Sequence, residues 1–193
     1  MTSKRSPRLI SALHDWGRSE PSVHGVEPVH TAAEIAARVD ELAASLTSWL
    51  EGEPVAQVIM NGAFMFAADL TRAMSARGSV VEMDFITLEK DRRAGTVSLL
   101  AASDRPVADR DVLIIDDIFE TGHTLSYALD HYERLGAASV TSVVLLDKSA
   151  GRETVCRPDF TGFRCGDMFV VGYGMDVGHR FRELPFIGRM GSA

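Results

Sequence analysis

The stretch VLIIDDIFETGHTL, residues 112 to 125, decides the fold because a polar turn follows directly on a run of aliphatic residues. Residues 112 to 115 are continuously apolar instead of alternating, which is typical of a strand that is covered on both faces in a parallel sheet. Ligands of such sheets bind beyond the carboxyl ends of the strands. The turn after this strand is therefore the first place to look for a functional site.

Two adjacent carboxylates, Asp116 and Asp117, stand at the end of the predicted strand. They repel each other and lose hydration there, so they need hydroxyl groups, a metal ion or basic groups as partners. Thr121, Gly122 and Thr124 then place two hydroxyl groups around a residue that tolerates a positive φ, where a helix begins. Free N–H groups at a helix start bind phosphate. The turn can thus hold both ends of a ribose 5-phosphate.

The same turn has other interpretations. The acidic pair fits a metal site of the Walker B or receiver type, and the threonine-glycine sequence fits a plain helix cap. A Walker B site needs a G-x-x-x-x-G-K-[ST] loop upstream, and none of the 16 glycines begins one. For the turn taken by itself, the receiver-type site and the plain cap stay open.

Strand and helix patterns alternate through the middle of the chain, which predicts an α/β fold. We expect a mainly parallel, twisted sheet flanked by helices, with a small hood near the carboxyl terminus. Thr31 and Glu34 fit a capping box at the start of the first helix. The predicted strands are residues 55–60, 80–88, 112–116, 138–147 and 168–173, and the predicted helices are residues 31–50, 63–78 and 122–135.

The chain is expected to consist of an amino-terminal arm and one domain that contains a charged loop. Residues 1–30 have no sustained period and are expected to form an irregular arm. Residues 31–193 are expected to form a single domain whose carboxyl-terminal segment contributes to the hood. The charged run at residues 89–95 predicts a polar loop, with an exposed hairpin that has no catalytic part as the alternative.

The composition argues against several classes of protein. The chain has 193 residues, of which 46% are hydrophobic and 24% charged, as in ordinary globular proteins. A net charge of −7 disfavours nucleic acid as a partner, and two cysteines cannot form a disulfide-rich scaffold. No apolar run reaches the roughly 18 residues that a membrane span needs. We therefore expect a cytoplasmic protein without membrane contact.

Three motifs resemble those of a known family. Residues 112–125 resemble the phosphoribosyl-pyrophosphate (PRPP) signature of type I phosphoribosyltransferases, in which an aliphatic strand leads to two acidic residues and a threonine- and glycine-rich phosphate loop. Residues 157–184 resemble the purine-binding region of hypoxanthine-guanine phosphoribosyltransferases, and residues 58–70 resemble their pyrophosphate-binding loop and following helix. The motifs occur in the family order over most of the chain. The resemblance implies the type I phosphoribosyltransferase fold.

The resemblance also implies the residues of the site. The expected PRPP-binding residues are Asp116, Asp117, Glu120, Thr121, Gly122, His123 and Thr124. The expected pyrophosphate-binding residues are Asn61, Gly62 and Arg182. The expected purine-binding residues are Ile118, Lys148, Phe169, Val170 and Asp176.

Individual roles follow from the same resemblance. Lys148 would donate to the purine O6, Phe169 would stack on the base, and Val170 would offer main-chain groups to its edge. Asp176 would help to place Mg²⁺ together with the acidic pair, Asp116 and Asp117. Glu120 would be the catalytic residue that accepts the proton from the purine nitrogen.

The sequence departs from the family pattern at four places. Asn61 stands where a lysine or arginine is common, Glu120 replaces the usual aspartate, and His123 replaces a frequent lysine. Residues 89–95 lack the Ser-Tyr pair of the long mobile loop that closes over PRPP in many members. Closure of such a loop excludes water and gates turnover, so we expect this chain either to use Lys90, Arg92 or Arg93 differently or to turn over slowly.

The implied activity is purine salvage: transfer of the phosphoribosyl group of PRPP to hypoxanthine or guanine, giving IMP or GMP and pyrophosphate. PRPP, a purine base and Mg²⁺ are the implied partners, and the implied assembly is a homodimer or homotetramer. Two alternatives stay open. The base is a different one such as xanthine, or the chain is a regulator on the same fold that senses PRPP or nucleotides.

Overall fold

The computed structural model describes residues 25–50, 52–91, 94–103, 105–148 and 151–190. Most of the predicted irregular arm, residues 1–24, lies outside the described residues, as do residues 92 and 93 of the predicted polar loop. No helix in the described part of the chain has the length and apolar character that a membrane span requires.

A six-stranded sheet forms the centre of the molecule, in the order β4-β3-β2-β5-β6-β7. Strands β2, β3, β5, β6 and β7 pair in parallel with their neighbours, and β4 pairs antiparallel with β3 at one edge. The strands are β2 (Val55–Met60), β3 (Glu82–Asp91), β4 (Thr96–Ala102), β5 (Asp111–Phe119), β6 (Ser139–Asp147) and β7 (Phe160–Arg164). The predicted fold class, a mainly parallel sheet flanked by helices, is confirmed.

Helices cover both faces of this sheet. Helices α1 (Ala32–Trp49) and α2 (Phe64–Ser75) share one apolar core with β2, β5 and β6, and α3 (His123–Arg134) shares a second core on the other face. The predicted capping box is present, since the side chains of Thr31 and Glu34 each accept from the other's backbone N–H. Residues 112–115 of β5 are fully buried, as their continuous apolar run predicted. Burial of each such side chain stabilises the fold by about 1.5–3 kcal/mol.

A second, three-stranded antiparallel sheet has the order β1-β9-β8. It is formed by β1 (Val26–His30), β8 (Val170–Val171) and β9 (Ile187–Met190). The prediction that all of residues 1–30 is irregular is therefore wrong for residues 26–30. The strand partner of this short segment, which contains Pro28, lies at the other end of the chain, so no local pattern reveals the pairing.

Two further predictions need correction. The predicted strand at residues 168–173 is reduced to residues 170–171 and belongs to the small sheet, whereas β7, which was not predicted, is the last strand of the main sheet. The predicted polar loop at residues 89–95 is in part a hairpin, because Glu89, Lys90 and Asp91 continue β3 and pair with β4. Residues 89–91 at the end of β3 and most of β4 are exposed, so apolar alternation is weak there.

Candidate active site

A cleft of about 480 Å³ opens at the carboxyl ends of β2, β3 and β5. It is lined by residues from the three motifs at residues 58–70, 112–125 and 157–184, and also by residues of β3. The lining residues are Ile59, Met60, Asn61, Gly62, Leu88, Lys90, Asp116, Asp117, Ile118, Glu120, Thr124, Asp176 and Arg182. The fold thus brings together nine of the fifteen residues that the sequence assigned to the site: Asn61, Gly62, Asp116, Asp117, Ile118, Glu120, Thr124, Asp176 and Arg182.

The acidic pair lies at the base of this cleft. Asp116 is buried, and Asp117 is partly exposed to the cleft. Burial raises the pKa of the Asp116 carboxyl well above its usual range; the neighbouring charge of Asp117 raises this pKa further, and Lys90 lowers it. One oxygen of Asp116 accepts the Asp117 N–H at 2.9 Å, and one oxygen of Asp117 accepts the Ile118 N–H at 2.9 Å. Each carboxylate keeps an oxygen without such a backbone bond, which suits it to accept a sugar hydroxyl.

The turn after β2 approaches the acidic pair closely. A β-carbon placed on Gly62 would overlap the carboxylate of Asp117, so any other residue would displace that carboxylate. Gly174 in turn packs against the carbonyl oxygen of Gly62, where a side chain would also overlap. The peptide bond between Met60 and Asn61 is cis. The backbone of this turn therefore forms one wall of the cleft beside Asp117.

The turn between β5 and α3 has the form of a phosphate-binding site. Gly122 has φ +90°, a conformation that side chains disfavour, and no side chain caps the start of α3 among the described residues. The hydroxyl of Thr124 is buried and has no hydrogen-bond partner in the described part of the structure. Unpaired N–H groups at a helix start attract anions, and a buried hydroxyl needs a partner. A phosphate group would satisfy both.

Sequence reasoning missed a segment that packs on this turn. The N–H groups of Glu153 and Thr154 both donate to the carbonyl oxygen of Thr121, at 2.8 and 3.3 Å. The side chain of Thr154 occupies the space beside Gly122, and that of Glu153 contacts the His123 ring at 2.8 Å. Residues 153 and 154 carry no motif, so the sequence alone gives no signal for this contact.

A second cavity, of about 300 Å³, adjoins the cleft between this turn and the hairpin. Thr121 and His123 line it, together with Lys90, Glu120 and Glu153. A small pocket beneath the turn includes Gly122 in its lining. Three more of the residues assigned from the sequence thus face the same part of the molecule.

The three remaining assigned residues lie outside the linings of these cavities. The Lys148 ammonium is almost buried and binds the Glu120 carboxylate at 3.0 Å, which links it to the cleft. Phe169 is 60% exposed, and Val170 is buried in β8. The described structure therefore connects Lys148 to the cleft through Glu120.

Asp176 and Arg182 form an ion pair at 2.7 Å in the lining of the cleft. The Arg182 guanidinium also donates to the carbonyl oxygen of Gly174 at 2.6 Å, and Asp176 accepts the N–H of His179 at 2.7 Å. These bonds hold the arginine in place beside Gly62, where an anionic group would meet it.

The three carboxylates expected near Mg²⁺ do not form a ready-made metal centre. Among the described residues no group of three or more histidine, cysteine or acidic side chains is placed to hold a metal ion. The Asp176 carboxylate is paired with Arg182 at 2.7 Å. Mg²⁺ nevertheless commonly binds through one or two carboxylates, waters and substrate phosphates. Asp116 and Asp117 fit that mode of binding.

Comparison with known proteins agrees with this geometry. The model of the phosphoribosyl transferase domain matches residues 25–177. The hypoxanthine-guanine phosphoribosyltransferase of Bacillus subtilis (strain 168) is 39% identical over 171 residues, which cover 86% of this chain and 93% of that protein.

Solved structures give the same result. The crystal structure of a hypoxanthine-guanine phosphoribosyltransferase from Bacillus anthracis has a TM-score of 0.81 and 31% identity, covering 86% of this chain and 97% of that chain. A structure of the hypoxanthine phosphoribosyl transferase of Trypanosoma cruzi has a TM-score of 0.84 and 30% identity, covering 89% and 95%. The chain belongs to the phosphoribosyltransferase family, as its three motifs predicted.

The electrostatics of the acidic pair predict a pH-dependent gain in stability for Asp116→Asn. Because the pKa of Asp116 is raised on folding, the ionised carboxylate costs more in the folded than in the unfolded chain. This cost is absent below the usual aspartate pKa of about 3.9 and grows as the pH rises through the raised pKa. The variant should therefore exceed the wild type in free energy of unfolding at pH 8, by more than at pH 5, in urea titrations.

The exposed Asp167 provides a control for this measurement. Asp167→Asn should change the free energy of unfolding at pH 8 by less than about 0.5 kcal/mol, as is usual at surface positions. A loss of stability in Asp116→Asn at pH 8 would contradict the described burial of the carboxylate.

Proposed function

We propose that this chain is a purine phosphoribosyltransferase that transfers the phosphoribosyl group of PRPP to hypoxanthine or guanine. The single observation that carries the proposal is the turn from β5 to α3, where an acidic pair is followed by an uncapped helix start and a buried hydroxyl without a partner. Proteins named hypoxanthine-guanine phosphoribosyltransferase that are 39% and 37% identical to this chain support the choice of bases.

In this proposal the cleft holds the ribose, the 5′-phosphate and the pyrophosphate of PRPP. The carboxylates of Asp116 and Asp117 accept the ribose hydroxyls, and the backbone N–H groups from Thr121 to Thr124 donate to the 5′-phosphate. The wall formed by Asn61, Gly62 and Arg182 faces the pyrophosphate. Asp116 and Asp117 would hold Mg²⁺, which would neutralise part of the pyrophosphate charge.

The reaction is a substitution at C1′ of the ribose. A purine nitrogen forms the new bond to C1′ while the bond from C1′ to the pyrophosphate oxygen breaks, with positive charge on the ribose ring in the transition state. The site contributes by holding the base within attack distance and by stabilising the leaving group. No covalent intermediate with the protein is required.

Two residues that form an ion pair would contact the purine base. Lys148 donates to the purine O6, and Glu120, which lies 3.0 Å from the Lys148 ammonium, accepts the proton that the purine nitrogen loses. Ile118 and the exposed ring of Phe169 would cover the two faces of the base, with main-chain groups of Val170 at its edge and Asp176 nearby. The homodimer or homotetramer is a proposal that rests on the family resemblance. The cytoplasmic location is a separate proposal.

The direct test is ultraviolet difference spectroscopy of the purified protein with PRPP, Mg²⁺ and one base at a time. Hypoxanthine and guanine should each be converted to the nucleotide at a rate proportional to protein concentration. Conversion of xanthine alone would replace the proposed bases by xanthine. No conversion of any purine would remove the proposed activity and favour a regulator that binds PRPP or nucleotides.

Glu120→Gln should lower kcat by about 10²-fold or more, because the amide cannot accept a proton and general bases contribute about 10²–10⁴-fold. The KM for PRPP should change less than about threefold, since the backbone N–H groups of the turn are retained. Glu120→Asp should recover part of the activity. Glu89→Gln, which alters an exposed carboxylate of the hairpin outside the cleft, is the control. A kcat within twofold of the wild type in Glu120→Gln would exclude the proposed role.

A further inference from the structure

Lys90 occupies a central position that its sequence context does not reveal. It lies near the end of β3, and its backbone pairs with Val97 of β4. This pairing fixes the position of the Lys90 Cα atom. Lys90 lines the cleft of about 480 Å³ with Asn61 and Gly62, the cavity of about 300 Å³ with Thr121, and the small pocket beneath the turn. One cation therefore faces all three spaces around the acidic pair.

Lys90 differs from the other cations of the site in its partners. The ammonium of Lys148 is paired with Glu120 at 3.0 Å, and the guanidinium of Arg182 is paired with Asp176 at 2.7 Å. None of the ion pairs found among the described residues includes Lys90. Its side chain lines the same cleft as Asp116 and Asp117. Lys90 can thus meet an incoming anion without first breaking an ion pair.

The charges of the cleft create a need for such a cation. Its lining contains four carboxylates, those of Asp116, Asp117, Glu120 and Asp176, and two cations, Lys90 and Arg182. A polyphosphate that enters this cleft is repelled by the carboxylates. Asn61, at the turn that forms its wall, contributes no charge. Because Arg182 is engaged by Asp176, the cation that remains available is on the hairpin.

We propose that Lys90 binds the pyrophosphate group of PRPP and supplies the positive charge that the Asn61-Gly62 turn lacks. The proposal rests on the proposed function and adds a substrate-binding residue to it. The pyrophosphate is a better match for Lys90 than the 5′-phosphate, because the turn before α3 already offers the 5′-phosphate an uncapped helix start and the Thr124 hydroxyl. In this chain a strand hairpin carries the cation to the leaving group.

Lys90→Gln tests the proposal by direct binding and by kinetics. Isothermal titration with inorganic pyrophosphate and Mg²⁺ should show about tenfold to hundredfold weaker binding in the variant, the usual effect of losing a hydrogen bond to a charged group. The KM for PRPP should rise to a similar extent. Binding of GMP, which carries a 5′-phosphate and no pyrophosphate, should change less than about twofold.

Two further variants control the result. Lys90→Arg keeps the charge and should bind pyrophosphate within about threefold of the wild type. Arg134→Gln removes an exposed cation at the end of α3, far from the cleft lining, and should leave pyrophosphate binding and the KM for PRPP unchanged. Equal urea midpoints for Lys90→Gln and the wild type would show that the fold is retained.

Several outcomes would overturn the role of Lys90. They are pyrophosphate binding in Lys90→Gln within twofold of the wild type, equal losses for GMP and pyrophosphate, equal losses in the arginine and glutamine variants, and no pyrophosphate binding by the wild type. Failure of the proposed function looks different, since the wild type would then convert no purine. The titration with pyrophosphate still tests Lys90 in that case, because it requires no turnover.

Discussion

The burial of Asp116 at the end of β5 is the constraint on which the site depends. Water is excluded from this carboxylate by a strand that is covered on both faces, and its neighbour Asp117 adds a second negative charge. A site of this kind is costly for the folded chain unless a ligand, a metal ion or a cation offsets the charge. Lys90 and the start of α3 line the same pockets as Asp116.

Close backbone approach is the second determinant of the site. Gly62 lies against the carboxylate of Asp117, and Gly174 lies against the carbonyl oxygen of Gly62, so three distant segments of the chain meet here. This contact brings the Asp176–Arg182 ion pair to the same cleft as the acidic pair. Because the parallel strands β2 and β5 end side by side, the fold places both turns at one edge of the sheet.

The sequence predicts those parts of the structure that depend on local pattern. The buried run before Asp116, the capping box at Thr31 and the turn at Gly122 are each encoded within a few residues, and each is present. The parts that it did not predict depend on partners far along the chain. Strand β1 pairs with β9 about 160 residues away, and Glu153 reaches the turn at Thr121 from a segment without a motif.

The position of Lys90 at the cleft is likewise not predicted by the local sequence. In the sequence it is one of several charges in a polar run, where a solvated position is the ordinary expectation. Only the pairing of β3 with β4 shows that this side chain, and not its neighbour Glu89, faces the cleft. The family resemblance supplied the roles of the motif residues, and the three-dimensional arrangement adds a residue that lies outside those motifs.

The most direct test of this account is a crystal structure of the protein with GMP. We expect the 5′-phosphate oxygens to lie within hydrogen-bond distance of the N–H groups from Thr121 to Thr124, with the Thr124 hydroxyl donating to one of them. The ribose hydroxyls should donate to the carboxylates of Asp116 and Asp117. A nucleotide bound elsewhere, with these two carboxylates and the turn free of it, would contradict the account.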